Sequence, residues 1–142
     1  MTSSLKGETD LSAVLNQMTA SIHPGKYVFI TVPLQFADQI PRSHILMEFK
    51  ETEGVTLIME QSQADAHGLH YDKTETWAWI QIDVHSSLSL VGLTAAFSTA
   101  LAKKNLSCNV VAAFYHDHIF CKFSDKDKVV QAIQELGVNS TK

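Results

Sequence analysis

From Trp77 to Val84 the side chains change character at every second position: Ala78, Ile80, Ile82 and Val84 alternate with Trp77, Trp79, Gln81 and Asp83. A period of two is the mark of a strand with two unlike faces, so this segment must lie in a sheet with one apolar side to cover. The next residues supply the cover. Leu90, Leu93, Phe97 and Leu101 fall on one helical stripe, with Ala100 beside it, and predict a helix from Leu90 to Lys104. "SCNVVAAF" and "DHIFCKF" then read as a hairpin turning near His116. Ser124 with Asp127 three residues on resembles a capping box, and Val129, Val130, Ile133 and Leu136 form the buried side of a last helix. Residues 77–137 therefore spell strand, helix, strand, strand, helix, the ferredoxin-like order without its final strand.

The tail "GVNSTK" is too short and polar to provide that strand, so the first half of the chain is expected to lend one. That half reads as a helix from about Asp10 through Ile22, carried by Leu11, Val14, Leu15, Met18 and Ile22, capped by Thr9 or Asp10 and stopped at Pro24-Gly25. The strand "KYVFITV" follows and ends at Pro33. "PLQFADQIPRSH" reads as an irregular loop, and "ILMEFKETEGVTLIME" as two strands turning near Glu53-Gly54. "SQADAHGL" predicts one or two helical turns ended by Gly68. The expectation is an α+β protein of two intertwined halves, with antiparallel sheets covered by helices on one face. An N-terminal half spans 1–72 and a C-terminal module 73–142. Hairpin parity places Val110, Ala112, Phe114, Ile119, Cys121 and Phe123 on the helix side. Asn109, Val111, His118, Phe120 and Lys122, with Trp77 and Trp79, fall on the other. That second face is apolar enough to need cover from the other half or a second subunit.

Composition narrows the function. A chain of 142 residues can bury a core without metals or disulfides. Its net charge of −4 and scattered lysines argue against nucleic acid. No apolar run is long enough for a membrane span or an export signal. Cys108 and Cys121 lack CxxC spacing, which favours two buried thiols in a reducing cytoplasm.

The block "VHSSLSLVGLTAAFSTALAKKNLSCNVVAAFYHDHIFC", Val84 to Cys121, with the trailing "SDKDKVVQAIQEL", resembles an ACT domain. The residues that carry the likeness are Val84-His85-Ser86-Ser87, Val91-Gly92-Leu93, Ser107-Cys108-Asn109 and Tyr115-His116-Asp117-His118. "EGVTLIMEQSQADAHGL" is similar to the N-terminal segment of small bacterial proteins that carry two such modules and are related to aspartate kinase regulatory domains. The resemblance implies βαββαβ modules that pair into larger sheets and bind small effectors, most often amino acids, at the joints. It implies a binder and not an enzyme, a homodimer or higher homo-oligomer, and no cofactor.

Chemistry fits a ligand at the strand-to-helix loop. A helix start offers unpaired N–H groups and a partial positive charge to a carboxylate. Ser86, Ser87 and Ser89 add hydroxyls, and Gly92 permits close approach. Asp83 or Asp117 has the charge to meet an ammonium, and carbonyls near Asn109 could assist. The resemblance places effector contacts at Ser86, Ser87, Val91, Gly92 and Leu93. Against this stands the plain alternative that a serine only caps the helix. Metal binding by His116 and His118, or by His67 and His70, lacks a partner at recognised spacing. Catalysis by Ser86 or Ser87 with His85 fails because sequence neighbours on a strand point apart. The rival is a structural or protein-interaction module whose loop binds nothing; Trp77 and Trp79 would serve it as contact residues.

Overall fold

The structure is a computed structural model and describes residues 11–83 and 90–139. The cap candidates Thr9 and Asp10 lie outside the described residues, as do Val84, His85, Ser86, Ser87 and Ser89. The chain forms two compact units, one of 1–24 with 78–142 and the other of 25–77.

The first unit holds α1 (Leu11–Gln17), the opening part of β1 (Thr19–Val32), β4 (Trp77–Asp83), α4 (Leu93–Lys103), β5 (Asn109–Ala112), β6 (Asp117–Lys122) and α5 (Lys126–Asn139). Its strand order is β1-β4-β6-β5. β4 alternates as its sequence demands, with Ala78, Ile80 and Ile82 fully buried and the residues between them only partly so. Onto them pack Leu93, Phe97 and Leu101 of α4, Val129, Ala132 and Ile133 of α5, and Ile119 and Cys121 of β6; Leu11 and Leu15 of α1 border this core. The stripe predicted for α4 is thus the one it buries. β5 and β6 pair antiparallel, Asn109 opposite Phe120 and Ala112 opposite Asp117, which keeps the expected parity. Phe114 departs from it. β5 ends at Ala112, the turn lifts Phe114 out of the ladder, and its ring stands 52% exposed against Tyr115.

The lent strand comes from a place the helical reading had covered. α1 stops at Gln17, and β1 starts at Thr19 and continues past Pro24-Gly25 to Val32. Ser21 Oγ donates to Asp83 Oδ2 at 2.8 Å, and His23 Nε2 meets Gln81 Oε1 at 2.8 Å. The partner number falls as the β1 number rises, so β1 lies antiparallel beside β4. Burying Met18 and Ala20 against the sheet while pairing a strand edge outweighs extending a short helix.

The second unit has strand order β2-β3-β1, from β2 (Met47–Lys50), β3 (Val55–Glu60) and the later part of β1. Both pairings are antiparallel. Val28, Ile30 and Val32 face Met59, Leu57 and Val55 across the ladder, and this face is covered by Ala37, Ile40 and Ala64. The segment after Pro33 is more ordered than an irregular loop. It holds one turn, α2 (Leu34–Ala37), and a 3-10 turn, Arg42–His44, because Pro33 and Pro41 pre-set the backbone entering each. α3 (Gln61–Ala66) follows β3 directly and ends before Gly68 at φ +65°. No helix among the described residues is long and apolar enough to cross a membrane.

Candidate functional site

The α4 start is built around a conformational demand. Leu93, on the buried stripe, is 4% exposed, while Val91, two residues earlier, is 86% exposed. The chain makes that change through Gly92, the N-cap residue, at φ +100°, a conformation that favours glycine. Gly92 accepts from Ala96 N but has no side chain to cap the first turn. Next to it opens a groove of about 500 Å³. Gly92, Ala95, Ala96, Thr99 and Ala100 line it from α4, and Ala132 and Leu136 from α5. The Lys104–Glu135 ion pair, 2.8 Å, lies at its far end, and the hydrogen bond from Lys104 holds the Glu135 carboxyl below its ordinary value.

The expected contacts divide. Ser86 and Ser87 are outside the described residues. Val91, Gly92 and Leu93 are consecutive at the α4 start. Asp117, 9% exposed, opens β6 with the parity of Ile119 and Cys121, the helix-facing side. Burial raises its carboxyl pKa, and the charge of His116 opposes that rise. Asn109 has the opposite parity, and its Nδ2 donates to Phe120 O at 3.2 Å across the hairpin. In the register Asn109 sits three positions from Ala112, the partner of Asp117. That is about 10 Å along a strand, so Asn109 and Asp117 lie at opposite ends and on opposite faces of the hairpin.

The other face of this sheet carries a polar network that reading the sequence missed. His23 stacks on Trp79 with centroids 3.5 Å apart and planes 7° apart. Trp79 Nε1 donates to His118 Nδ1 at 2.9 Å, and Gln81 Nε2 donates to Asp83 Oδ1 at 2.8 Å. Indole has only a donor, so His118 Nδ1 must be unprotonated. Burial, then the charges of His116 and His23, lower the His118 pKa, with Asp83 pulling the other way. The buried His116 Nδ1 has no hydrogen-bond partner among the described residues. Part of the expected cover for Trp79 is therefore the His23 ring. The signal was present in "MTASIH", where Met18, Ala20 and Ile22 alternate with Thr19, Ser21 and His23.

Cys121 is buried, which pushes its thiol up to about 12, and Cys108 is partly buried; both are free. A thiol held that high is protonated at neutral pH and unreactive. Among the described residues no group of three His, Cys, Asp or Glu side chains converges on a metal position.

Two ACT domain models match the chain, over residues 6–75 and 73–135. A Vibrio cholerae protein of unknown function, described as a possible transport protein, is 36% identical. The match covers 89% of this chain and 95% of that one, with a TM-score of 0.77. The regulatory subunit of Thermus thermophilus aspartate kinase, ligand-free, shares the fold at 7% identity and a TM-score of 0.59; the match covers 82% of this chain and 95% of that one. Escherichia coli aspartokinase III, solved with aspartate and ADP, does so at 10% identity and a TM-score of 0.61, over 82% of this chain and 32% of the enzyme. No curated protein matches at a significant level. The chain belongs to the ACT domain family, two modules on one short polypeptide. ACT domains are regulatory modules, and the fold is shared with the regulatory subunit of an aspartate kinase.

Proposed function

We propose that this protein is a non-enzymatic regulatory or sensor protein that binds a small molecule, an amino acid being the ligand class, at the start of α4. The observation that carries the reading is the exposed Val91-Gly92 step: a backbone opened by a left-handed glycine, at the head of an 11-residue helix, beside a groove. There the α-carboxylate would take the first-turn N–H groups, with Ser86 and Ser87 as further donors and Gly92 and Leu93 as backbone contacts. Asp117 is the partner assigned to the ammonium. A ligand ammonium beside it would offset the burial that raises its pKa, and so bring the carboxyl back down. Asn109, engaged with Phe120 and about 10 Å from that end, cannot share one head group with Asp117.

A homodimer or higher homo-oligomer, in the cytoplasm, completes this reading, with 1–72 and 73–142 as its two modules. The rival, an interaction module without a small-molecule ligand, draws on the same groove, whose wall of small side chains lets another surface approach closely, and on exposed Phe114 and Tyr115.

The test is thermal unfolding at fixed protein concentration against the twenty amino acids. A ligand at about 100 times its dissociation constant adds about 2.7 kcal/mol to stability. That is a rise of several degrees at about 2–4 °C per kcal/mol for a chain near this size. A response to one or two chemically related amino acids supports the sensor, and a flat panel favours the interaction module.

A further inference from the structure

In the unit 25–77, β2 (Met47–Lys50) stands at the end of the strand order, with β3 on one side and no strand on the other among the described residues. The register decides which of its backbone groups that leaves open. Leu46 N donates to Ile58 O at 2.8 Å and Glu51 N to Gly54 O at 2.9 Å, so the even-numbered residues of β3 turn their carbonyls toward β2. Met47 and Phe49, opposite Ile58 and Thr56, are therefore the residues that bond to β3. Glu48 and Lys50 direct their N–H and C=O groups to the open edge.

The side chains along this edge are as open as its backbone. Glu48 and Lys50 are exposed, and among the described residues neither has an ion-pair partner. Phe49, on the opposite face, is 63% exposed. A lone charge on an edge strand blocks a second copy by repelling its own image. Two charges of opposite sign, two residues apart, do not. A two-fold axis lays β2 antiparallel to its copy, and bonds form only in registers that set outward-facing residues opposite one another. Centred on Glu48 or on Lys50, such a register opposes like charges. Centred on Phe49, it sets Glu48 opposite Lys50 at both ends. Each of those pairs exchanges two backbone hydrogen bonds, and the two phenyl rings meet as a non-hydrogen-bonded pair, the closer kind.

We propose that β2 is the contact strand of a two-fold homodimer, pairing with β2 of a second copy about Phe49 and joining the β2-β3-β1 strands of the two copies edge to edge. The proposal rests on the homo-oligomer of the reading above and names its surface; it does not depend on a ligand at α4. Charge sets the register: Glu48 meets Lys50 of the second copy on one face. On the other, Phe49 meets Phe49 of the second copy and stands diagonal to its Met47, so the pairing covers an exposed aromatic ring. Glu51, the next carboxylate, lies on the Phe49 face and accepts from Thr56 Oγ1 at 2.5 Å, so it does not compete for Lys50.

The experiment is sedimentation equilibrium of the full chain on wild type, Glu48→Lys, Lys50→Glu and the charge-swapped double variant, with circular dichroism checking that each is folded. The expected wild type is a reversible dimer. Either single reversal sets like charges opposite at both ends of the pairing and should raise the dissociation constant about tenfold or more. Both should do so although they move the net charge of −4 in opposite directions. The double variant restores opposite charges and should return to within a few-fold of wild type. As a second reading, Phe49→Cys should cross-link under mild oxidation, because the Cα atoms of such a pair stand about 4.5 Å apart, inside disulfide range. Wild type, with Cys121 buried and Cys108 partly so, is the control. A dimer that neither reversal weakens and that Phe49→Cys does not cross-link overturns this interface and leaves the homo-oligomer standing. A wild type that stays monomeric at every concentration overturns both.

Discussion

The Trp79 indole reaches His118 Nδ1 at 2.9 Å, and that contact decides which ring nitrogen carries the proton. A protonated His118 could not accept it, so acid must break the bond. The pKa of His118 lies below its ordinary value of 6.5 in the folded protein, first through burial and then through His116 and His23. The unfolded chain therefore takes up this proton at higher pH than the folded one. The stabilising contribution is complete above the unfolded value and is lost as pH falls through the folded one. Asp117 has the reverse sign, its raised pKa giving a contribution present below 3.8 and lost as pH rises through the folded value. Two outcomes follow. Melting temperatures taken from about pH 7.5 to about pH 5.5 should fall more steeply for wild type than for His118→Gln. At neutral pH Asp117→Asn should melt at or above wild type, because it removes a charge that burial disfavours. Gly92 is a residue-scale constraint of another kind. A Cβ there would stand 3.0 Å from Leu11 Cδ2 at φ +100°, so Gly92→Ala should destabilise by about 1–2 kcal/mol in chemical denaturation. Val91 is free of that penalty, which makes it the position at which to test binding without disturbing the fold.

At the scale of elements, α5 rests on α1 through Gly137. A Cβ at Gly137 would come within 2.9 Å of Leu15 O, a backbone atom that cannot swing aside. Helix propensity alone would reward Gly137→Ala by about 1 kcal/mol. The clash should reverse that sign, and a lower melting temperature for the alanine variant is the expected reading; a higher one would mean the helices part at little cost. Phe97, fully buried between α4 and the sheet, sets the other limit. Phe97→Ala should cost about 3–5 kcal/mol in denaturant titration, the usual loss for emptying such a site. β1 shows why one element was misread. Leu11 and Leu15 repeat at helical spacing and do lie in α1. Met18 and Ile22 are four residues apart, which satisfies a period of 3.6 and a period of two alike. The helical reading ran on through them, although Thr19, Ser21 and His23 already alternated with Met18, Ala20 and Ile22. Local periodicity could not choose; the unfilled edge beside β4 did.

At the scale of the whole molecule, the missing last strand was itself legible. The order strand, helix, strand, strand, helix demanded an edge, and Thr19 to Pro24 fills the place beside β4. Ala78, Ile80, Ile82, Leu93, Phe97 and Leu101 were readable as core because burial imposes a period on them. The site was less legible. Asn109 and Asp117 both stand near the hairpin in sequence, yet pleating sends them to opposite faces, and one of them is spent on Phe120. The hydrogen bond between the His44 and His67 rings was beyond reach, since only folding brings residues 23 apart together. Within this frame the central claim is that the α4 start receives a carboxylate. It is tested most directly by calorimetry with the amino acid that stabilises the wild type, on wild type and on Val91→Asp. An aspartate at that exposed position suits the helix dipole and should leave stability within about 0.5 kcal/mol. Its charge would repel a ligand carboxylate, so the account predicts a loss of binding of about tenfold or more, roughly 1.4 kcal/mol. Equal affinity in the folded variant would contradict it.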